Sequence, residues 1–483
     1  MNQKSYFPLF FSLILSLMLL LAPRDGVATG FVCSNSWLAA EDGAWTDATK
    51  WSSGTAPIST DDVCIDVAGT YTVTLNGNRS VNSVTLGNAT GVQTLLVQGS
   101  NAGSTGSLTA ATGFTNSGGV FNVNQGTAGT RTFNGSLAND GTVNVNINTS
   151  FNAHTETYAN NSAFNIATTK TLTINGGTTT FDQSAGALDI DGTLNWTGSN
   201  GTFNLSGGSF DQTSGTFSMT GSGGAFNFTG GSILGNPLIN LQRNALTLGA
   251  LGTSPATFRM RATSTFTGNV SAGQTLLVQG ANAGGTGPLT AATGFTNSGA
   301  VTIESIDGAH AVVLTITSGT LENLPGAVFN VNQGAAGTRT LDLVLENSGT
   351  ANFNTNTTFN KASAAHLNSG DFNIVSPSAT VTFSGTGTSL TNQAAGTIAG
   401  IGTLNVSAIT FTNDGTMSPG LSFGVLTLSG DFTQSASGVF AAEIGGRVAG
   451  TKYDQFIING VSGAATLDGT LDIQVETGFV ACE

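Results

Sequence analysis

Four aspartates in the middle of the chain are the residues best suited to chemistry. Asp189 and Asp191 flank Ile190 in the segment LDIDG, and in a β-strand both carboxylates lie on the face opposite Ile190. Two carboxylates on one face can bind a calcium ion or act as the acid and the base of a glycosidase. Asp182 and Asp211 belong to two FDQ segments 29 residues apart, so they would stack if 29 residues formed one coil of a repetitive fold.

The surroundings of these aspartates do not favour catalysis. A polysaccharide lyase needs a basic side chain near its carboxylates, and the segment 171–242 contains no Lys or Arg. His154, His310 and His366 are scattered without the spacing of a metal-ligand motif, and no nucleophile-elbow or phosphate-binding motif stands out. We therefore predict no catalytic residue, no metal site and no cofactor. We interpret the four aspartates as solvated residues beside turns.

The composition indicates a folded chain with few charges. Only 8% of the 483 residues are charged, whereas 39% are hydrophobic and 29 are Phe, which is too much apolar surface for a disordered chain. The formal net charge of −14 opposes binding to nucleic acid or to anionic lipid. We expect neither as a partner.

The first 28 residues have the pattern of a secretory signal peptide. Lys4 precedes an apolar run from Phe7 to Leu21, and Gly26 and Ala28 are small residues where a signal peptidase would cleave. A membrane anchor is the alternative, but fifteen apolar residues are short for a spanning helix. We therefore expect a secreted or cell-surface protein whose mature chain is not inserted in a membrane.

Cysteine usage fits an exported protein. Cys33 and Cys64 both lie near the start of the mature chain, and an oxidising compartment allows them to form a disulfide. The alternative is a pair of buried free thiols. Cys482 has no evident partner in the sequence.

From Tyr71 onward the sequence repeats short alternating segments separated by Gly, Asn, Asp or Ser. Examples are TYTVTLNGN, KTLTINGG, TLNWTGSNG and AFNFTGG. Alternation of apolar and polar residues with period two indicates half-buried β-strands, and the residues between them favour turns. No helix is predicted after the signal peptide, so the expected fold class is all-β.

An internal duplication discriminates between the β architectures. The segment LTAATGFTNSG occurs at 108–118 and at 289–299, an offset of 181, but the VFNVNQG segments that follow are offset by 208. The additional 27 residues, 301–327, themselves have strand and turn patterns. A sandwich or barrel rarely accommodates such an insertion, whereas a solenoid accepts it as one more coil. We therefore predict a parallel β-helix, right-handed by the general crossover preference, with a length on the order of 70–90 Å.

The two ends of the chain differ from its middle. Trp37, Trp45 and Trp51 lie together in a chain with only four Trp, and we interpret them as part of an N-terminal cap, with a sugar-binding cluster as the alternative. The predicted organisation is a signal peptide at 1–28, a cap segment at 29–70, β-helix repeats at 71–429 and a C-terminal β-helix end segment at 430–483. We expect this end segment either to be truncated or to be released without an anchor.

Two terminal segments carry recognisable residue patterns. The first consists of Trp45, Trp51, Pro57, Asp62, Val63 and Ile65, followed by short strands. The second consists of Gly430, Asp431, Phe432, Gln434, Tyr453, Asp454, Gln455, Leu467, Asp468, Gly469 and Leu471. These patterns resemble secreted bacterial β-helix proteins of the adhesin and autotransporter-passenger type, which carry autotransporter-associated β-strand repeats. The resemblance implies a surface or secreted scaffold rather than an enzymatic activity.

Three classes of function stay open at this point. The leading expectation is an adhesin-like scaffold that attaches through an extended surface to polysaccharide or other cell-surface ligands. The first alternative is a carbohydrate-active β-helix enzyme, a lyase or a hydrolase, that uses carboxylates among Asp182, Asp189, Asp191 and Asp211. The second is an ice-binding or crystal-surface-binding module, which would need regular rows of Thr-x-Thr; TVT, TLT and TTT occur, but irregularly.

Overall fold

The computed structural model describes residues 32–99, 106–126, 129–152, 154–460 and 465–479. Within these ranges the chain is almost entirely strand and turn, and its one helix is a short 3₁₀ turn at Ala48–Lys50. No helix of this part of the chain is long and apolar enough to cross a membrane. The predicted signal peptide at 1–28 and Cys482 lie outside the described residues.

The strands stack as a β-solenoid of about 16 turns. Each strand within the stack pairs in parallel with the strands one coil before and one coil after it; Thr180–Gln183, for example, lies between Thr157–Asn160 and Thr202–Leu205. Since neighbouring strands are about 4.8 Å apart, about 16 turns make a rod roughly 75 Å long. The prediction of an all-β parallel solenoid is therefore confirmed.

Each coil has up to three faces, and each face is a column of paired strands. Several long strands bend and contribute their two halves to two faces. Face 1 runs through the described chain and contains Asn35–Ser36, Asp62–Ile65, the second halves of Asn78–Leu86 and Gly106–Asn116, Leu137–Asn139, Thr157–Asn160, Thr180–Gln183, Thr202–Leu205, Ala225–Phe228, Ala245–Leu248, Ser264–Gly268, the first halves of Gly287–Asn297, Val312–Asn323 and Arg339–Asn347, Thr357–Phe359, Thr380–Phe383, Thr403–Asn405, Val425–Ser429 and Gln455–Ile458.

Along the chain, each coil passes from face 3 to face 2 and then to face 1. It contains the first halves of Asn78–Leu86 and Gly106–Asn116, then Arg131–Asn134, Thr149–Phe151, Thr171–Ile174, Thr193–Trp196, Thr216–Met219, Leu238–Gln242, Ala256–Arg261, Gln274–Gly280, Ala300–Ser305, Val328–Val331, Thr350–Phe353, Asp371–Ile374, Thr397–Gly400, Thr416–Pro419, Val439–Ile444 and Thr470–Val475.

Face 3 consists of two separate columns. The N-terminal column has nine strands: Gly43–Ala44, Tyr71–Asn76, Gln93–Gly99, Val120–Gly126, Thr142–Val145, Ala163–Ile166, Ala187–Ile190, Ser209–Asp211 and Ser232–Leu234. The C-terminal column contains the second halves of Gly287–Asn297, Val312–Asn323 and Arg339–Asn347, then Ala365–Asn368, Ser389–Asn392, Thr410–Asn413, Phe432–Thr433 and Ala465–Thr466.

The alternating sequence pattern places apolar side chains inside the rod. Phe181, Phe203 and Phe226 pair one coil after another on face 1 and are fully buried. Their rings stack nearly in parallel, with centroids 5.3 Å and 5.1 Å apart. Burying each such side chain stabilises the fold by about 1.5–3 kcal/mol. The resulting core is continuous from Trp37 to Phe432.

Buried amides form a second, polar component of the interior. At the turn from face 3 to face 2, each Asn Nδ2 donates a hydrogen bond to the Oδ1 of the Asn one coil later, at 2.7 to 2.8 Å. We call this column the asparagine ladder; its members are Asn297, Asn323, Asn347, Asn368, Asn392, Asn413 and, at its end, Gln434. The ladder satisfies polar groups that would otherwise be buried without partners.

The number of residues in a coil varies along the rod. On face 1, Phe181 pairs with a residue 22 positions later, whereas on face 2 Phe258 pairs with a residue 18 positions later and Ala300 with one 28 positions later. The shortest coils lie where face 3 has no strand. Local sequence therefore sets coil length.

The insert 301–327 forms one coil, as its sequence indicates. In the second copy, the strand Ala300–Ser305 of this coil lies between Gln274–Gly280 and Val328–Val331 and pairs with both. The same segments in the first copy, Gln93–Gly99 and Val120–Gly126, pair directly with each other. The duplicated segments also occupy different faces, because TLLVQG lies on face 3 in the first copy and on face 2 in the second.

Both copies contain a buried arginine that holds a loop. Arg131 Nε donates to the backbone oxygen of Asn124 at 3.0 Å, and Arg339 Nε donates to that of Asn332 at 2.9 Å. Other N–H groups of each guanidinium donate to further carbonyls of the same loop. Burial lowers the pKa of both arginines. This shared loop gives the duplicated sequence a structural role.

The N-terminal segment packs on the first coils. Trp37 and Trp51 meet edge-on with ring centroids 4.9 Å apart, and Trp45 and Trp51 are 5.1 Å apart; all three side chains are buried. Cys33 and Cys64 are joined by a disulfide with Cα atoms 5.8 Å apart. The interpretation of this segment as a cap stays a prediction.

Candidate functional site

The aspartates selected from the sequence lie on two faces. Asp189 is on face 3, where its partner one coil later is Asp211, 22 residues along the chain. Asp182 is on face 1 and pairs with Asn204, whose Nδ2 donates to the Asp182 carboxylate at 2.7 Å. The expected stacking of Asp182 on Asp211 is therefore wrong, because the coil in this region has 22 residues and not 29. Asp191 lies in the turn after the strand.

Asp189, Asp191 and Asp211 form a group of carboxylates on the outside of face 3. The pKa of Asp189 is raised, first because the side chain is partly buried and further because the other two carboxylates are close. Asp211 stabilises a turn, since its Oδ1 accepts hydrogen bonds from N and Oγ1 of Thr213 at 2.9 and 2.6 Å. The raised pKa makes the Asp189 carboxylate easier to protonate than an ordinary aspartate.

The aspartates are not arranged as a compact metal site. In the part of the chain that the structure describes, one set of three acidic, His or Cys residues has all its ligand atoms within 4.8 Å of one another, and it is Cys33, Cys64 and Asp66. The two sulfur atoms of that set are bonded to each other, so neither is a thiolate ligand.

The three histidines have unrelated environments. His154 is exposed in a turn. His310 Nε2 lies 2.9 Å from Asn282 Oδ1 at the surface. His366 is buried in the core, where its Nδ1 accepts a hydrogen bond from Leu345 N at 3.1 Å and burial lowers its pKa to about 4.

The most pronounced irregularity of the rod is the gap in face 3. In the two coils between Ser232–Leu234 and Gly287–Asn297, the chain crosses this face as irregular segments, 249–255 and 269–273. Val270 makes only a single bridge, to Asn297. The missing strands leave a depression along the rod, which we call the face 3 groove.

The face 3 groove consists of two adjoining depressions of about 330 and 320 Å³ that share Asn269 and Thr296. Leu248, Val270 and Phe295 lie beneath it and are buried. No Lys, Arg or His is among the described residues that line it. Its polar groups are Asn269, Ser271, Thr296, Ser298, Thr320 and Glu322. The groove therefore offers hydroxyl, amide and carboxylate groups to a ligand.

Local hydrogen bonds and close packing fix the wall of the groove. Asn269 Oδ1 accepts a hydrogen bond from Thr296 N at 2.9 Å. At Gly294, where Gly287–Asn297 bends between two faces, a Cβ atom would lie 2.5 Å from the backbone nitrogen of Thr320. Only glycine fits this bend, so the residue shapes the groove without contributing a side chain.

The groove includes part of the duplicated sequence. In the second copy, Phe295 and Thr296 line the groove. In the first copy, Phe114 and Thr115 line a depression of only about 70 Å³. The sequence signal for the groove is the run of turn residues in 235–237 and 249–255, GNP and GALGTSP, which replaces strand patterns in this region.

Comparisons with protein-family models, with curated proteins and with solved structures give no match for this chain. The fold is therefore known from the structure, and the resemblance to adhesins and autotransporter passengers rests on the residue patterns at the two ends of the chain.

Proposed function

We propose that the protein is a secreted or cell-surface, adhesin-like scaffold that attaches to neutral polysaccharide, with the face 3 groove as its main contact site. The observation that carries the proposal is the gap in face 3, which leaves a groove lined by hydroxyl and amide groups in an otherwise regular rod. Such groups can form hydrogen bonds with the hydroxyl groups of a sugar polymer.

The charges around the groove favour a neutral ligand. Glu322 lines the groove, and Glu346 pairs with it one coil later. Together with the net charge of −14, these carboxylates would repel polymers of uronic acids or sulfated sugars.

Rows of amides on the outside of the rod support attachment at many points. On face 3, Asn144 Nδ2 donates to Asn122 Oδ1 at 2.7 Å, and Asn165 Nδ2 donates to Asn144 Oδ1 at 2.8 Å. The same side chain recurs about every 4.8 Å along the axis. Repeated weak contacts of this kind add up to useful avidity when the ligand is itself a repeating polymer.

Binding of the purified chain to polysaccharides tests this proposal. We expect retention in affinity gels that contain neutral polysaccharides, and little retention by acidic ones. Ser298→Trp and Thr320→Trp fill the groove and should weaken binding about tenfold. The matched control is Thr302→Trp on face 2, which should change binding less than about twofold.

Equal retention of the groove variants and the control would show that the groove is not the contact site. A chain that binds no neutral polysaccharide would contradict the proposal as a whole.

The raised pKa of Asp189 is the observation that favours the enzyme alternative. An assay for cleavage of the same polysaccharides decides it, because turnover that Asp189→Asn abolishes would make the protein a carbohydrate-active enzyme. A chain that binds and never cleaves supports the scaffold.

A further inference from the structure

The charged residues in the middle of the rod are separated by sign. The segment 171–211 contains four aspartates and no Lys or Arg, whereas the segment 212–303 contains three arginines and no Asp or Glu. The arginines are Arg243, Arg259 and Arg261. Negative coils are therefore followed directly by positive coils along the axis.

The negative coils present carboxylates on the outside of face 3. Asp189 pairs with Asp211 one coil later, and Asp211 pairs with Leu234 one coil after that, so the three side chains form one outer column. Asp191 is exposed in the turn from face 3 to face 2. Within the described part of the chain, none of these carboxylates is in a salt bridge. Their charge is therefore available to a partner.

Three exposed leucines follow the carboxylates. Leu234 ends the last strand of the N-terminal column of face 3 and is 42% exposed, and Leu238 begins the face 2 strand of the same coil and is 39% exposed. Leu251 is 77% exposed in the irregular segment 249–255, which crosses face 3 in the next coil. Large apolar side chains grouped on one part of a surface are typical of protein–protein contact sites.

Arg259 lies on the positive side of these leucines. It is on the outside of face 2, in the same coil as Leu251. Its Nε donates to Asn240 Oδ1 at 3.1 Å, and it has no salt bridge among the described residues. Burial and the neighbouring Arg261 lower the pKa of Arg259. A carboxylate from a partner would stabilise this guanidinium.

The order of these groups makes the surface complementary to itself. Asp211, the pair Leu234 and Leu238, and Arg259 lie in three successive coils, so the carboxylate and the guanidinium are about 10 Å apart along the axis with the leucines between them. In an antiparallel pair of rods whose leucine coils face each other, Asp211 of each copy lies at the level of Arg259 of the other. A parallel pair would instead bring like charges to the same level.

We propose that two copies of the chain associate side by side and antiparallel through this surface. We call it the dimer surface, and it consists of Asp189, Asp191, Asp211, Leu234, Leu238, Leu251 and Arg259. A twofold axis forms the contact between Arg259 and Asp211 twice, and the leucines of both copies exclude water between the two contacts. The dimer surface contains none of the residues that line the face 3 groove, so the inference does not depend on the ligand of the groove.

Sedimentation velocity of the purified chain tests this inference. We expect a dimer whose dissociation constant rises at least about tenfold between about 0.05 M and about 0.5 M salt, because salt screens the charges. Arg259→Glu and Asp211→Arg should each weaken the dimer at least about tenfold. The matched control is Arg243→Glu, at the corner between faces 2 and 1, which should weaken it less than about twofold.

An equimolar mixture of R259E and D211R is the decisive measurement. In their heterodimer each contact again joins a positive to a negative side chain, so dimers should form at a concentration at which each variant alone is monomeric. Their recovery would also show that both variants are folded. A mixture of two folded variants that stays monomeric would overturn the proposal.

A second pair of variants does not touch the turn at Asp211. Leu251→Ser should weaken the dimer about fivefold or more, whereas Leu421→Ser, at an exposed position outside the dimer surface, should weaken it less than about twofold. Circular dichroism of each variant verifies that the rod is intact. A chain that is monomeric at about 0.1 mM in low salt would overturn the proposal and leave the surface to a different partner. A dimer that neither Arg259→Glu nor Leu251→Ser weakens would overturn it as well.

Discussion

The asparagine ladder shows how one residue type specifies the alignment of many coils. Asn347 Nδ2, for example, donates to Asn368 Oδ1 at 2.7 Å and to the backbone oxygen of Asp371 at 2.9 Å. Each amide therefore connects its own coil to two atoms of the next. Only a side chain with both a donor and an acceptor can occupy a middle position.

Replacement of Asn368 by Asp should destabilise the rod strongly. In the structure, Asn368 Nδ2 donates hydrogen bonds to Asn392 Oδ1 at 2.7 Å and to Thr397 O at 3.1 Å. A carboxylate at this position can still accept a hydrogen bond from Asn347, but it cannot donate either of these two. A buried charge without its partners costs about 3–5 kcal/mol, which urea unfolding at pH 7 would measure. The control Asn373→Asp, whose amide lies on the outside of face 2, should cost less than about 1 kcal/mol. Similar losses in both variants would contradict the role of the ladder.

His366 should make stability depend on pH. Its pKa in the folded protein is about 4, below the ordinary value near 6.5, because the ring is buried beside Phe359 and Phe383. The unfolded chain therefore takes up the proton first. Stability is complete above about pH 6.5 and is lost as the pH falls towards about 4, by up to about 3 kcal/mol.

Urea midpoints between pH 7 and pH 4 check this expectation. His366→Gln should remove most of this part of the pH dependence, whereas His154→Gln, at an exposed position, should retain it. An unchanged slope in His366→Gln would assign the dependence to carboxylates instead.

At the scale of single residues, the sequence showed which side chains could do chemistry, but it did not show which residues they contact in the next coil. Asp189 and Asp211 lie 22 residues apart and pair because the coil has that length. The spacing of 29 between the two FDQ segments had instead suggested Asp182 as the partner of Asp211. Contacts across coils depend on coil length, which a single sequence with variable turns does not provide.

The coil is the element from which the rod is built. Strand patterns such as TFNL at Thr202–Leu205 predicted their own structure well, because the inner and outer residues alternate in each strand. The face that a strand occupies was not predictable, because it depends on every turn before it. The groove was missed for the same reason.

Deletion of 301–327 should leave a folded rod that is one coil shorter. The new junction would place Gln274–Gly280 directly on Val328–Val331, and the first copy already contains this junction between Gln93–Gly99 and Val120–Gly126. We expect an unchanged β-type circular dichroism spectrum and a rod about 4.8 Å shorter in small-angle scattering.

A deletion of 301–313 is the matched control, because it removes only part of the coil and shifts the following strands to the wrong faces. It should abolish cooperative unfolding. A rod that tolerates both deletions equally, or neither, would contradict the coil as an independent unit.

The whole molecule was the most predictable level. Composition, strand alternation and the displaced duplication together indicated a parallel solenoid, and the length of roughly 75 Å that follows from about 16 turns lies within the expected range. The gap in face 3 was not predicted. It is a place where the repeating pattern stops, and a repeat-based argument describes only what repeats.

The parallel pairing of successive coils has a mechanical consequence. The hydrogen bonds between strands point along the rod axis, so a force applied between the two ends would load the coil interfaces one after another. Each interface that opens releases a coil of about 22 residues, or roughly 70 Å of extended chain. A tether built in this way would lengthen in steps under tension and dissipate energy at each step, while the coils that are still closed keep their shape.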